Sequence, residues 1–191
     1  MMDEHKAFGS LSGQLLVAMP QMLDPRFART VIYMVAHTED GAMGLVLNRV
    51  LGSVTFPDLL SQLGIGITDP ARNIHVHFGG PVEMGRGFVL HSADYHQGAT
   101  LRVDDDVSVT ATIDILRDIA GGTGPRRCLL ALGYAGWGPG QLEDELRRNG
   151  WLSVSADEDL LFGPDLEGKW EHAIAKIGID FRNLSDEVGH A

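Results

Sequence analysis

The chain has 191 residues, 44% of them apolar, and a formal net charge of −11. That length suffices for one sizeable core, so a single domain over residues 1–191 is expected, and an acidic surface disfavours non-specific binding to phosphate backbones. One cysteine, Cys128, excludes an internal disulfide and fits a reducing compartment.

Residues 1–12 read as a loose, acidic lead-in. The apolar run at 15–19 is too short for a signal core, so neither a targeting segment nor a membrane span is expected, and the chain reads as cytoplasmic. Residues 14–19 form a strand stopped by Pro20, and Asp24-Pro25 initiates a turn. Residues 31–36 (VIYMVA) and 43–48 (MGLVLN) flank the turn signal Asp40-Gly41, predicting an antiparallel hairpin. Phe56, Leu59, Leu60 and Leu63 have helical spacing, ended by Gly64. Residues 75–78 are a short strand entering Gly79-Gly80-Pro81, with 87–91 as its expected antiparallel partner. Asp104-Asp105-Asp106 is a solvated acidic turn before a strand at 107–109. Ile113, Leu116, Ile119 and Ala120 share one helical face, closed by Gly121-Gly122.

The stretch at 128–151 organises the rest. Residues 128–132 form a buried strand; Gly133, Gly136, Gly138 and Gly140 then alternate with Tyr134, Trp137 and Pro139 as a glycine loop. A helix should follow, with Pro139 at its first position, Leu142 and Leu146 on one face, and Gly150 as a left-handed cap. Glu143 with Arg147, and Asp144 with Arg148, are i,i+4 pairs worth about 0.2–0.5 kcal/mol each. Residues 151–155 form a strand and 157–162 a short helix. Leu166, Trp170, Ala173, Ile174 and Ile177 form a last amphipathic helix before Gly178, and residues 182–191 a polar, frayed end. Short strands with hairpin signals, and helices placed irregularly among them, argue for an α+β fold with a mixed, mostly antiparallel sheet.

Residues 13–49 resemble the opening block of the YqgE/AlgH family of bacterial proteins, at Pro20, Asp24, Phe27, Val31, His37, Gly41, Gly44, Leu45, Leu47 and Asn48. FGGPV (78–82), GFVLH (87–91), GYAGWGPGQLEDEL (133–146), Trp151, Leu161-Phe162, Lys169-Trp170 and Gly178 extend the resemblance over nearly the whole chain. It implies a bifurcated sheet folded into a pseudo-barrel with helices packed around it. It also brings the family's label of transcriptional regulator, with no assigned chemistry.

Asp24, Phe27, His37, Asn48 and Arg49 are therefore candidate pocket or motif residues, as are Gly79, Gly80, His91, Tyr134 and Trp137. The glycine loop before Pro139 could cradle an anion on its amides. However, Gln141 stands where GxGxxG needs its last glycine, and a tight turn covering the core explains the same residues. His75 and His77 share a strand face, and His91, Asp94 and His96 could complete a metal site, but no dense ligand motif supports one and no cofactor is called for. There is no nucleophile elbow; Ser92 beside His91 faces the other way in a strand. Arg127 beside Cys128 could activate the thiol, yet the apolar run favours an inert one. Arg26, Arg29, Arg49 and Arg86 could form a basic mouth for a small anionic ligand, but solvated surface arginines are the favoured reading of the same residues. Arg117, Arg126 and Arg127 are offset by Asp114 and Asp118, and no helix-turn-helix carries a basic second helix. The first expectation is thus a non-enzymatic binding or regulatory module with a protein or small-molecule partner, its oligomeric state open. An enzyme with a site among Asp24, His37, Asn48 and His91 is second, and a direct DNA-binding regulator third.

Overall fold

The fold is described from a computed structural model over residues 9–66 and 74–178. The expected frayed end at 182–191, and residues 1–8 of the lead-in, lie outside that range. Among the described residues nine strands form one sheet: β1 (Gln14–Ala18), β2 (Val31–Thr38), β3 (Gly41–Val46), β4 (Val76–Phe78), β5 (Val82–Ser92), β6 (Leu101–Arg102), β7 (Val107–Thr110), β8 (Cys128–Trp137) and β9 (Trp151–Ser155). Five helices pack on it among the described residues: α1 (Phe56–Gln62), α2 (Ile113–Ala120), α3 (Gln141–Arg147), α4 (Glu158–Phe162) and α5 (Lys169–Lys176). The strand order is β6-β7-β5-β8-β3-β2-β1-β9, antiparallel along the whole path, with β4 joining β8 in parallel. This is the α+β, bifurcated, half-barrel arrangement that the sequence implied.

Strand alternation divides the core. Leu15, Val17, Tyr33 and Val35 point inward and meet Phe88, Leu90 and Leu129 under Trp170 and Ile174 of α5. Their neighbours Leu16, Ala18, Ile32 and Met34 point outward and are covered by Trp137, Leu142 and Trp151. On the other wing, Val89 and Leu130 are covered by Phe56 and Leu60 of α1 and by Ile115 and Ile119 of α2. Thr55 and Asp58 close a capping box at the start of α1, satisfying two end amides and fixing where that helix begins.

The sheet forks at β8. One edge of β8 carries β5 opposite 128–134; the other carries β4 opposite 130–132 and β3 opposite 135–137. At the change of partner, the chain from Phe78 to Val82 crosses β8. Gly79 N–H donates to Leu132 O, and Gly79 O accepts from Val46 N–H, both at 2.9 Å. Gly133 there has φ +75°, and a Cβ on Gly80 would overlap the Tyr134 carbonyl. Only glycines allow two backbones this close.

Several elements differ from the sequence expectation. The glycine-rich segment from Gly133 is strand through Trp137, because β3 offers it a hydrogen-bonding edge; the turn is only 138–140. Pro139 therefore precedes the helix, whose N-cap is Gly140 at φ +74°. Asn149, at φ +59°, takes the left-handed position assigned to Gly150, and Gly150 N–H closes the motif on Glu145 O. Residues 75–78 pair in parallel with β8, not antiparallel with 87–91, which instead lie between β7 and β8. Of the lead-in expected to be loose, residues 10–12 are tied down: Ser10 Oγ donates to His37 O, and Leu11 N–H to His37 Nδ1.

Candidate functional site

The candidate residues fall into separate groups. Asp24, Phe27, Asn48 and Arg49 brace the loop between β1 and β2. Asn48 Oδ1 accepts from Val31 N–H, and Asn48 Nδ2 donates to Arg29 O. Arg49 donates to the carbonyls of Arg26 and Ala28 at 2.7 and 2.8 Å. Asp24 holds Arg26 in an ion pair, whose hydrogen bond keeps the carboxyl below its usual range. Phe27 packs edge-on to Trp151, as does Trp137 from the other side. Gly79, Gly80 and Tyr134 belong to the crossing at β8.

His37 is buried on β2 and binds Glu143 of α3 through Nε2. Its Nδ1 accepts from the Leu11 amide, so the ring proton sits on Nε2 and is donated to the carboxylate. Partial burial would raise the Glu143 pKa, but the His37 hydrogen bond and the nearby Arg147 charge outweigh it and hold the group low.

His91 is fully buried and ends a directed chain. Its Nδ1–H donates to Ser92 O, so Nε2 accepts from Thr110 Oγ1 at 2.8 Å. Thr110 accepts in turn from Thr100 Oγ1, which accepts from Gln97 N–H. Burial lowers the His91 pKa, so the ring is a neutral brace.

His77, also buried, bonds Leu130 O through Nδ1 at 3.1 Å, and desolvation drops its pKa to about 4. His75 is exposed and its ring lies 6.3 Å from that of His77. Among the described residues no group of three His, Cys, Asp or Glu side chains could hold a metal, so His91, Asp94 and His96 do not complete a site with them. Cys128 is a half-buried thiol near the same pair, lining a cavity of about 220 Å³. The neighbouring Lys169 is buried, and desolvation lowers its pKa to about 8.

The four arginines Arg26, Arg29, Arg49 and Arg86 are each engaged by protein partners. Arg26 is spent on Asp24, Arg29 stacks on Trp170 and pairs with Glu171, and Arg49 caps carbonyls. Arg86 pairs with Glu83 and lies over Phe88. Each long side chain found its partner in its own neighbourhood.

A cleft that sequence reasoning missed lies at the open end of the inner core. Its volume is about 410 Å³. Asp94, Asp104, Asp106, Asp157 and Glu158 line it, with Arg126 as the one lining cation among the described residues. Val107, Leu161 and Phe162 give it an apolar floor. Asp157 is paired with Lys176, and Glu158 with Arg126 and Arg127. The sequence signal was the run Asp104-Asp105-Asp106; Asp94 stands ten residues before it, and Asp157 and Glu158 arrive from about fifty residues further along the chain.

Among the described residues, no helix is long and apolar enough to cross a membrane. A family model described as AlgH-like matches residues 15–182. A UPF0301 protein of Bradyrhizobium diazoefficiens is 55% identical over 191 residues, covering 96% of this chain and 89% of its own length. One from Rhodospirillum rubrum is 53% identical, covering 100% and 98%. The solution structure of the AlgH protein from Pseudomonas aeruginosa superposes with TM-score 0.77 at 43% identity, over 92% of this chain and 93% of that one. Protein DIP2367 of Corynebacterium diphtheriae shares the fold, with TM-score 0.68 at 20% identity, over 85% and 84%.

Proposed function

The chain belongs to the AlgH-like family, and on that premise we propose that it is a cytoplasmic, non-enzymatic binding or regulatory module whose ligand site is the acidic cleft. The carrying observation is how its polar groups are employed. His37, His77 and His91 are each committed to hydrogen bonds that hold the fold together. The cleft, in contrast, combines concavity, an apolar floor and, at the Asp104–Asp106 end, lining carboxylates that form no ion pair among the described residues, the combination that small-ligand sites use. A screen of metabolites by thermal shift, with hits mapped by amide chemical-shift changes, tests the reading. Hits that perturb residues 92–94, 104–107 and 156–162 support it. Turnover of any hit, or a library of hits mapping only elsewhere, defeats it.

In this reading, regulation does not proceed through direct contact with DNA. The −11 charge and the dispersed, paired arginines favour that view. Fluorescence anisotropy with mixed-sequence duplexes at about 150 mM salt should show no saturable binding below micromolar concentrations. Tight binding with a steep salt dependence would restore the DNA-binding alternative.

A further inference from the structure

The two ends of the acidic cleft are electrostatically unlike. At the Asp157–Glu158 end, Lys176, Arg126 and Arg127 offset the carboxylates. At the other end, Asp104 Oδ1 is occupied by the amides of Asp106 and Val107 at 2.8 and 2.9 Å. Asp106 makes no side-chain hydrogen bond or ion pair among the described residues, and Asp105 has already taken Arg102. Neither Asp104 nor Asp106, at this lip of the cleft, thus forms a side-chain ion pair among the described residues, and the Arg102 guanidinium stands beside them with its Nε donating to Asp104 O.

A second feature lies beneath that lip. Tyr33 of β2 is 0% exposed, and its hydroxyl is buried with no hydrogen-bond partner. It rises from the inner core to the cleft wall at Gly13: the position of a Cβ on Gly13 lies 4.0 Å from the Tyr33 hydroxyl and 3.2 Å from Asp104 Oδ2. Burying a hydroxyl without a partner is costly, because its hydrogen bonds to water are lost and not replaced. Phenylalanine would fill the same space without that cost, so an unused hydroxyl at a cleft wall points to a partner that arrives from outside.

We infer that the cleft takes a small organic cation, a primary ammonium on a short apolar body, held by Asp104, Asp106 and the Tyr33 hydroxyl. An ammonium has three donors, which matches three acceptors, whereas a bare metal ion finds no suitable ligand group here. Val107, Leu161 and Phe162 would receive the alkyl body. The inference rests on the cleft being the ligand site and adds the class of ligand.

The test is calorimetric titration of the full chain with 1-aminohexane, against 1-hexanol and hexanoate at equal ionic strength, each followed by amide chemical-shift mapping. The amine should bind at least about tenfold tighter than the alcohol and perturb residues 104–107. Tyr33→Phe, Asp104→Asn and Asp106→Asn should each weaken it about tenfold, as loss of a charge-assisted contact does. Tyr33→Phe should melt no lower than the wild type, because the hydroxyl it removes has no partner in the free protein. Equal binding of the alcohol, preferred binding of hexanoate, or amine binding indifferent to all three substitutions would overturn the cation while leaving the cleft as the site. Shift changes confined to other surfaces, or none with any compound, would overturn both.

Discussion

Single residues with chemical potential are used here as fasteners. His37 joins three segments: the lead-in through Leu11, its own strand, and α3 through Glu143. In sequence, Glu143 looked like a surface partner for Arg147, and Glu143→Gln should then have been nearly silent. Instead Asp144 serves both Arg147 and Arg148, and Glu143 reaches a buried ring. Glu143→Ala should therefore cost about 1–3 kcal/mol, by stranding a buried ring donor. Glu143→Gln retains an acceptor and should cost less, under about 1.5 kcal/mol. Urea denaturation of the two variants checks this, and equal effects would assign the role to charge instead of hydrogen bonding. Helical spacing correctly placed Glu143 on a helix; the pairing was hidden because its partner stands 106 positions away.

At the scale of elements, β8 and its crossing segment decide the architecture. Gly80→Ala should cost more than about 3 kcal/mol, since a Cβ there overlaps backbone that cannot retreat. Gly136→Ala should be mild, because the new methyl would find its nearest neighbour, Tyr134 Cε2, at 3.4 Å. Trp137, 7% exposed between Ala42 and Trp151, should cost about 3–5 kcal/mol on truncation to alanine. Denaturation midpoints of the three variants should rank in that sense. The sequence read Gly133, Gly136, Gly138 and Gly140 as one glycine loop, because alternation with Tyr134 and Trp137 does not distinguish a turn from a strand with small outer residues. A strand's edges are long-range facts. Local patterns placed most strands and helices within a few residues, whereas β6, two residues long, and the parallel pairing of β4 left no local mark.

At the scale of the molecule, buried ionisable groups couple stability to pH. His77, lowered to about 4, and His91, lowered in the same direction, are native as neutral rings. The unfolded chain takes up their protons near 6.5, so this stability is complete above that value and is lost as pH falls through 6.5 toward 4. Lys169 is the converse: protonated at pH 7 at a cost, it relieves that cost as pH rises from about 8 to 10.5. Urea curves at pH 5, 7, 9 and 10 should thus show stability rising across both windows. His77→Gln should flatten the lower window and Lys169→Met the upper. The remaining consequence concerns synthesis. β1, near the start of the chain, lies between β2 and β9, and β9 spans Trp151–Ser155. At about 5–20 residues per second, a growing chain holds β1 with one edge open for on the order of ten seconds. During that time Leu15, Leu16 and Val17 offer apolar surface on both faces of a strand paired along one edge only. A ribosome stalled before β9 has emerged should display a protease-sensitive N-terminal hairpin; one stalled well beyond it should display a resistant sheet. The second edge of β1 thus closes only once β9 has been made.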